Sequence, residues 1–141
     1  TCNSDGKVAD EAGIVICPEV GPEVIAGSSR LKAGTAQKMV LNMLSTGAMI
    51  KIGKTYENFM IDLKASNEKL KDRAIRIVSE IGEVSSAEAL SKLMQSNWEI
   101  KTAIVSFVCN LEVPKARLEL KRHSGVLRKV IKGLKSEDFR P

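Results

Sequence analysis

The chain has 141 residues, of which 43% are hydrophobic and 28% charged, and its formal net charge is +5. This composition is typical of a globular domain, and no apolar run reaches the roughly 18 residues that a bilayer-spanning helix needs. The charge is uneven, because residues 1–66 hold seven cations and seven anions and the excess lies in residues 67–141. Those cations interleave with apolar residues. We interpret them as the solvent-facing side of amphipathic helices, and we expect neither a nucleic-acid nor a membrane partner.

The number and spacing of the cysteines, and the presence of a single histidine, bear on disulfides, metal binding and cellular location. Cys2, Cys17 and Cys109 are odd in number and far apart, and no CxxC occurs. This spacing predicts neither a disulfide framework nor a metal site, and it favours a reducing, cytoplasmic location. The first residues also lack the basic start and apolar core of a signal peptide.

The first third of the chain contains one predicted strand and one long predicted helix. The run IVIC at residues 14–17 is β-branched without alternation, which predicts a buried strand of a parallel sheet. A single strand needs neighbours, and the remaining pattern is helical, so we expect the upstream strands of that sheet to lie outside this chain. Residues 29–52 predict a helix that is apolar nearly all round near Met39–Leu44 and therefore buried, with Gly53 as its stop.

The remainder predicts a small bundle of short amphipathic helices. Apolar residues recur there at steps of three and four, and polar caps and glycines separate the segments. The expected signals are Asn67 as a cap and Gly82 as a stop, a capping box at Ser85 and Glu88, Asn97 as a further cap, Pro114 as a first helical residue, Ser124–Gly125 as a break and a last helix over 126–134. We therefore predict two domains, residues 1–82 and 83–141.

The segment GPEVIAGSSRLKAGTAQK, residues 21–38, carries the densest chemistry. Gly27, Ser28 and Ser29 precede the long helix, whose N-terminal N–H groups attract anions. Arg30 and Lys32 oppose the helix macrodipole, so a negative ligand or a carboxylate such as that of Glu23 is expected nearby. From the residues alone, a phosphate-binding site and a structural helix cap both remain open.

This segment resembles the signature of the N-acetylmuramic acid 6-phosphate etherases and the related glucokinase regulatory proteins. The resemblance continues through residues 39–78, which are similar to the bacterial etherases, and more weakly through residues 98–120 and 125–133. It implies an α/β family fold, the sugar isomerase (SIS) three-layer sandwich, followed by a small helical domain similar to a ubiquitin-associated (UBA) fold. This chain would then be mostly α, with one or two strands, a long buried helix and a C-terminal UBA-like bundle.

The resemblance also implies the function of the whole protein. The family enzymes are lyases that cleave the D-lactyl ether of N-acetylmuramic acid 6-phosphate to N-acetylglucosamine 6-phosphate and D-lactate, without a metal or organic cofactor. Their two catalytic glutamates lie upstream of the part that this chain resembles, so no catalytic residue is assigned and the chain alone is expected to be inactive. A homodimer formed through the SIS domain is also implied.

Seven residues are the substrate-binding candidates that the resemblance implies. The family loop approaches the sugar, with Ser28 as the candidate for direct contact, and the charged residues shape that loop or an adjoining subunit contact. The candidates are Glu23, Ala26, Gly27, Ser28, Ser29, Arg30 and Lys32.

Two alternatives stay open. One is a non-enzymatic phosphosugar-binding regulator, similar to the glucokinase regulatory proteins. The other is a helical protein-interaction domain that binds a partner through the basic residues of 84–135.

Overall fold

The computed structural model describes residues 1–137, and these are mostly helical. They form two compact units, Thr1–Ala48 and a second unit from Met49 onward. The predictions of a mostly α chain and of one or two strands are confirmed. In chain order, the described elements are α1 (Lys32–Lys51), β1 (Thr55–Tyr56), β2 (Phe59–Met60), α2 (Glu68–Gly82), α3 (Ser86–Gln95), α4 (Ile100–Val108), α5 (Val113–Arg122) and α6 (Leu127–Glu137).

The predicted strand at residues 14–17 does not form. Ile14 is 85% exposed, and the backbone there adopts no regular structure. The Ile16 carbonyl accepts one hydrogen bond, from the Thr1 ammonium group at 3.3 Å. A β-branched run becomes a strand only when neighbouring strands pair with it. No neighbouring strand is present among residues 1–137, so the prediction was wrong for this chain.

Helix α1 forms as predicted but is not buried. It begins at Lys32 rather than near residue 29, and none of its residues is buried. Met43 and Leu44 are 62% and 56% exposed, because nothing among the described residues covers them. The predicted stop at Gly53 is confirmed: its φ is +73°, and its N–H donates to the Ile50 carbonyl at 3.1 Å.

A short hairpin, which the sequence pattern did not reveal, opens the second unit. β1 and β2 pair antiparallel, with Thr55 opposite Met60 and Tyr56 opposite Phe59. Strands of two residues carry too little alternation to be recognised from sequence. The hairpin leads directly into Ile61, whose side chain is buried in the core.

Helix α4 lies at the centre of the second unit. Six of its nine residues are buried: Ile100, Thr102, Ala103, Ile104, Val105 and Ser106. It packs against α2, α3, α5 and α6, which each present one apolar face to it. The predicted amphipathic periods therefore describe real packing faces in this unit.

Two of the three predicted polar caps are confirmed. The Leu70 N–H donates to Asn67 Oδ1 at 2.9 Å, and Ser85 and Glu88 form the reciprocal capping box. Asn97 does not cap α4, because it and Trp98 both adopt left-handed conformations (φ 54° and 61°) in the turn after α3. Glu99 takes the N-cap position instead, without a side-chain cap bond.

The SIS sandwich, the UBA-like bundle and the domain boundary at 82/83 stay predictions. Helix α2, on the amino-terminal side of that boundary, packs with α3 and α4, and the compact units of this chain divide between Ala48 and Met49. Over residues 1–137, no helix combines the length and the hydrophobicity that crossing a membrane requires.

Candidate functional site

The predicted sugar-facing loop is a tight turn before α1. Gly27 has φ +79°, a left-handed conformation that glycine adopts without strain. The Ser28 N–H donates to the Ile25 carbonyl at 3.0 Å, and the Ser29 N–H donates to the Gly27 carbonyl at 3.0 Å. These bonds bring Ala26, Gly27, Ser28 and Ser29 together at the start of the helix.

Glu23 caps α1 with its carboxylate. Oε1 accepts from the Ala33 N–H and Oε2 from the Lys32 N–H, each at 3.0 Å. These two backbone bonds, that of Ala33 foremost, hold the pKa of Glu23 below its ordinary value. The next N–H groups are also bonded, since Gly34 donates to the Ser29 carbonyl at 2.8 Å and Thr35 to the Leu31 carbonyl at 3.1 Å.

The helix N-terminus therefore already holds an anion that belongs to the chain itself. The Glu23 charge also acts on Lys32, and it offsets the unfavourable position of that cation at a helix N-terminus. Lys32 Nζ donates to the Pro22 carbonyl at 3.1 Å, while Arg30 is exposed and has no hydrogen-bond partner among the described residues. A phosphate can bind the N–H groups of Lys32 and Ala33 only if the Glu23 carboxylate moves away from them.

Unlike the N–H groups at the start of α1, the hydroxyls of Ser28 and Ser29 are available to a ligand. Neither makes a hydrogen bond within residues 1–137, and Ser28 is half-buried while Ser29 is exposed. Each hydroxyl can donate one bond and accept others. The chemistry open to this loop is therefore contact with a polar ligand through the two hydroxyls rather than through the helix N-terminus.

A groove of about 610 Å³ also lies within the first unit, and the sequence did not indicate it. Cys2, Ile14 and Ile16 form one side of it, and Ser29, Ala33 and Leu41 are among the residues on the α1 side. Its lining mixes exposed aliphatic side chains with polar ones such as Asn3 and Gln37, and none of the described residues that line it has a carboxylate or histidine side chain.

A cleft of about 680 Å³ lies in the second unit. Its lining residues are Lys54, Ile61–Ser66, Asn97–Thr102, Leu120 and Gly125. Asp62 lies between two lysines: it pairs with Lys54, and its Oδ1 is 3.5 Å from Lys101 Nζ. Lys101 also donates to the Gly125 carbonyl at 3.1 Å.

The two carboxylates of this cleft are both stabilised in the charged form. Burial alone would raise the pKa of Asp62, but its bond to Lys54 and the charge of Lys101 outweigh burial and lower it. Burial alone would also raise the pKa of Glu99, but its hydrogen bonds with Arg117 and Thr102 outweigh burial and lower it. Arg117 Nε lies 2.9 Å from Glu99 Oε2, and Thr102 Oγ1 donates to the same oxygen at 2.8 Å.

Sequence reasoning missed this cleft because its charged residues are distant in the chain. Asp62 and Lys101 are 39 residues apart and form no local motif. In the part of the chain that the structure describes, no cluster of three His, Cys, Asp or Glu side chains could hold a metal ion.

Two comparisons show which known proteins this chain is similar to. Residues 57–103 match the family described as the C-terminal lid domain of glucokinase regulatory protein. The chain is also 53% identical over 128 residues to N-acetylmuramic acid 6-phosphate etherases of Yersinia pestis (strain Pestoides F) and Yersinia pseudotuberculosis serotype O:1b (strain IP 31758). That alignment covers 91% of this chain and 43% of each relative. The predicted resemblance is confirmed, and the chain spans less than half the length of these relatives.

Proposed function

We propose that this chain is the carboxyl-terminal part of a lyase that cleaves the D-lactyl ether of N-acetylmuramic acid 6-phosphate. The products are N-acetylglucosamine 6-phosphate and D-lactate. The observation that carries the proposal is the 53% identity to the Yersinia etherases over 91% of the chain. The proposal extends to a homodimer in the cytoplasm that acts without a metal or organic cofactor.

In the proposed reaction, one carboxylate removes the proton from C2 of the open-chain sugar. A second carboxylate acts as the acid when lactate leaves C3, and water then adds to the unsaturated intermediate. General acids and bases of this kind typically contribute about 10²–10⁴-fold each. Both catalytic carboxylates are proposed to lie upstream of the residues that this chain matches, so the chain contributes binding and support rather than the acid and base.

The loop before α1 is the proposed contribution to the substrate site. Ser28 offers a hydroxyl without a hydrogen-bond partner among the described residues. Glu23 holds the first turn of α1 through two 3.0 Å bonds, which fixes the position of that loop. We propose that Ala26, Gly27, Ser28 and Ser29 touch the sugar, and that Glu23, Arg30 and Lys32 position the loop or meet an adjoining subunit.

Reconstitution tests this proposal. The chain is assayed for D-lactate release from N-acetylmuramic acid 6-phosphate, alone and mixed with the amino-terminal remainder of a Yersinia relative. We expect release from the mixture and none from either part. Turnover by the chain alone contradicts the assignment of the catalytic groups, and an associated mixture that releases nothing contradicts the etherase.

A matched pair of serine variants refines the same assay. Ser28→Ala in the mixture is expected to raise KM about three- to tenfold, because one hydrogen bond is lost. Ser45→Ala is the control, since the Ser45 hydroxyl donates to the Asn42 carbonyl of its own helix at 3.1 Å. Equal effects of the two variants contradict a substrate contact at Ser28.

A second candidate function is a phosphosugar-binding regulatory module. The match of residues 57–103 to the lid domain of glucokinase regulatory protein favours it. In the reconstitution assay this function appears as binding of N-acetylglucosamine 6-phosphate without any release of lactate.

A third candidate is a helical protein-interaction domain, favoured by the exposed cations of α5 and α6. Lys121 and Arg122 lie in the last turn of α5, where they also complement the helix dipole. Salt-sensitive binding of an acidic peptide that is lost in Lys121→Glu with Arg122→Glu supports this function.

A further inference from the structure

We infer that the cleft of the second unit, lined by Lys54, Asp62, Trp98 and Lys101, binds a small phosphorylated molecule. This site is separate from the Ala26–Ser29 loop and does not depend on the proposed etherase function. The cleft has a volume of about 680 Å³, and its lining residues all belong to the second unit. A concave site with an apolar floor and a few convergent charged groups is the usual form of a small-molecule site.

The charge of the cleft favours an anion. Lys54, Lys64 and Lys101 line it, against the two carboxylates Asp62 and Glu99. The described lining thus holds three lysines against two carboxylates, and Arg117 pairs with Glu99 from outside the lining. The Lys101 side chain is only 17% exposed, and charges with little solvent around them interact more strongly than charges in water.

Lys64 is the cation that a ligand can recruit most freely. Lys54 and Lys101 already bond to Asp62, whereas Lys64 is exposed and has no ion pair within residues 1–137. Asp62 repels an anion, but it also holds two ammonium groups at the cleft, since each of them is within 4.0 Å of its oxygens. A phosphate can bind between Lys64 and these two lysines, which then donate to it as well as to Asp62.

The rest of the cleft suits the uncharged part of such a ligand. Ile61, Leu63, Ile100 and Leu120 supply its apolar lining. Trp98 is half-buried, and Lys71 from α2 lies 5.6 Å from the centre of its ring. Ile61, Ile100 and Leu120 are buried. A ligand with a ring or an alkyl face can therefore contact mainly Leu63 and Trp98 while its phosphate faces the lysines.

The single tryptophan of the chain makes this proposal directly testable, because every change in tryptophan emission reports on Trp98. The complete chain is titrated with inorganic phosphate, with glucose 6-phosphate and with glucose. We expect saturable changes with the two phosphates, tighter for glucose 6-phosphate, and no change with glucose. No saturable change with either phosphate overturns the proposal, as does an equal response to glucose and glucose 6-phosphate.

Two charge-reversal variants localise the binding. Lys64→Glu is expected to raise the apparent Kd of glucose 6-phosphate about tenfold or more, since a charge-assisted contact becomes a repulsion. Lys132→Glu makes the same change of net charge on α6, outside the cleft lining, and is expected to change Kd less than about twofold. Both variants replace exposed side chains, so circular dichroism should show both folded. Equal losses of affinity in the two overturn a site in this cleft.

Discussion

The two compact units differ in how well their apolar side chains are covered. In the second unit, α4 is surrounded by four other helices and Ile104 is fully buried. Helix α1, most of which lies in the first unit, has 20 residues against nine in α4, but none of them is buried. Both helices are rich in apolar residues, so helix pattern alone does not decide burial. Burial requires partner elements, and only the second unit supplies them among the described residues.

The largest effect expected from this difference concerns two truncations to alanine. Ile104→Ala should lower the free energy of unfolding by about 2–5 kcal/mol, because it leaves a cavity in a packed core. Leu41→Ala in α1, where Leu41 is 58% exposed, should lower it by less than about 0.5 kcal/mol. Urea unfolding followed by far-ultraviolet circular dichroism measures both. If Leu41→Ala costs as much as Ile104→Ala, then α1 is packed and the contrast between the units is wrong.

Gly53 and Gly125, two glycines in left-handed conformations, test the packing of the second unit. A Cβ at Gly53 would lie 2.9 Å from Val126 Cγ2, in a left-handed conformation with φ +73°. Gly53→Ala should therefore cost about 2–4 kcal/mol, the left-handed strain and the overpacking together. Gly125 has a similar φ of +71°, but a Cβ there meets nothing within 4 Å.

Gly125→Ala is thus the matched control, with an expected cost of about 1–2 kcal/mol from backbone strain alone. Thermal unfolding of both variants separates the two contributions. Similar losses would mean that Val126 moves aside and that this contact adds little.

The capping box of α3 gives a smaller effect. Ser85 Oγ accepts from the Glu88 N–H at 3.3 Å, and Glu88 Oε2 accepts from the Ser85 N–H at 2.9 Å. Ser85→Ala should lower the free energy of unfolding by about 1 kcal/mol. Ser86→Ala, one residue later and without a hydroxyl bond among the described residues, should have almost no effect on the urea midpoint. Equal midpoint shifts would contradict a role for the cap.

The cap of α1 predicts the smallest effect, a pH-dependent one confined to the first unit. The pKa of Glu23 is lowered in the folded chain, so its contribution is fully present above the ordinary glutamate pKa. It is lost as the pH falls through the lower, folded value, because protonation removes the acceptor charge. Amide exchange at Lys32 and Ala33 should therefore become less protected on acidification.

Glu23→Gln should remove this pH dependence, because glutamine does not titrate. Glu19→Gln, whose parent carboxylate accepts no hydrogen bond in residues 1–137, should leave it unchanged. Protection at Lys32 and Ala33 that does not depend on pH would show that Glu23 does not hold the helix start.

The sequence predicted most of the second unit and the secondary structure of α1. Caps such as Asn67 and the Ser85–Glu88 box are local, and their partners lie within three residues. The prediction of Asn97 as a helix cap was wrong because asparagine is common both in caps and in left-handed turns. Only the chain reversal after α3 decides between them.

Burial in the first unit and the cleft of the second unit could not be predicted in the same way. The predicted buried strand at residues 14–17 does not form and α1 is not buried, because both depend on partner elements that sequence pattern does not locate. The Asp62–Lys101 pair depends on folding two distant segments together. By contrast, a carboxylate was expected near the start of α1, where the macrodipole favours an anion, and Glu23 lies there and accepts from the Lys32 and Ala33 N–H groups.

The most direct test of the contrast between the units is amide hydrogen exchange. The same measurement tests the proposed place of this chain in a larger enzyme. The chain is measured alone in dilute solution and again with the amino-terminal remainder of a Yersinia relative. We predict that α4 amides exchange slowly in both samples, and that α1 amides exchange fast alone but slowly in the mixture. Slow exchange of α1 in the chain alone, equal to that of α4, would contradict the account. So would α1 amides that stay fast in a mixture shown by sedimentation to be associated.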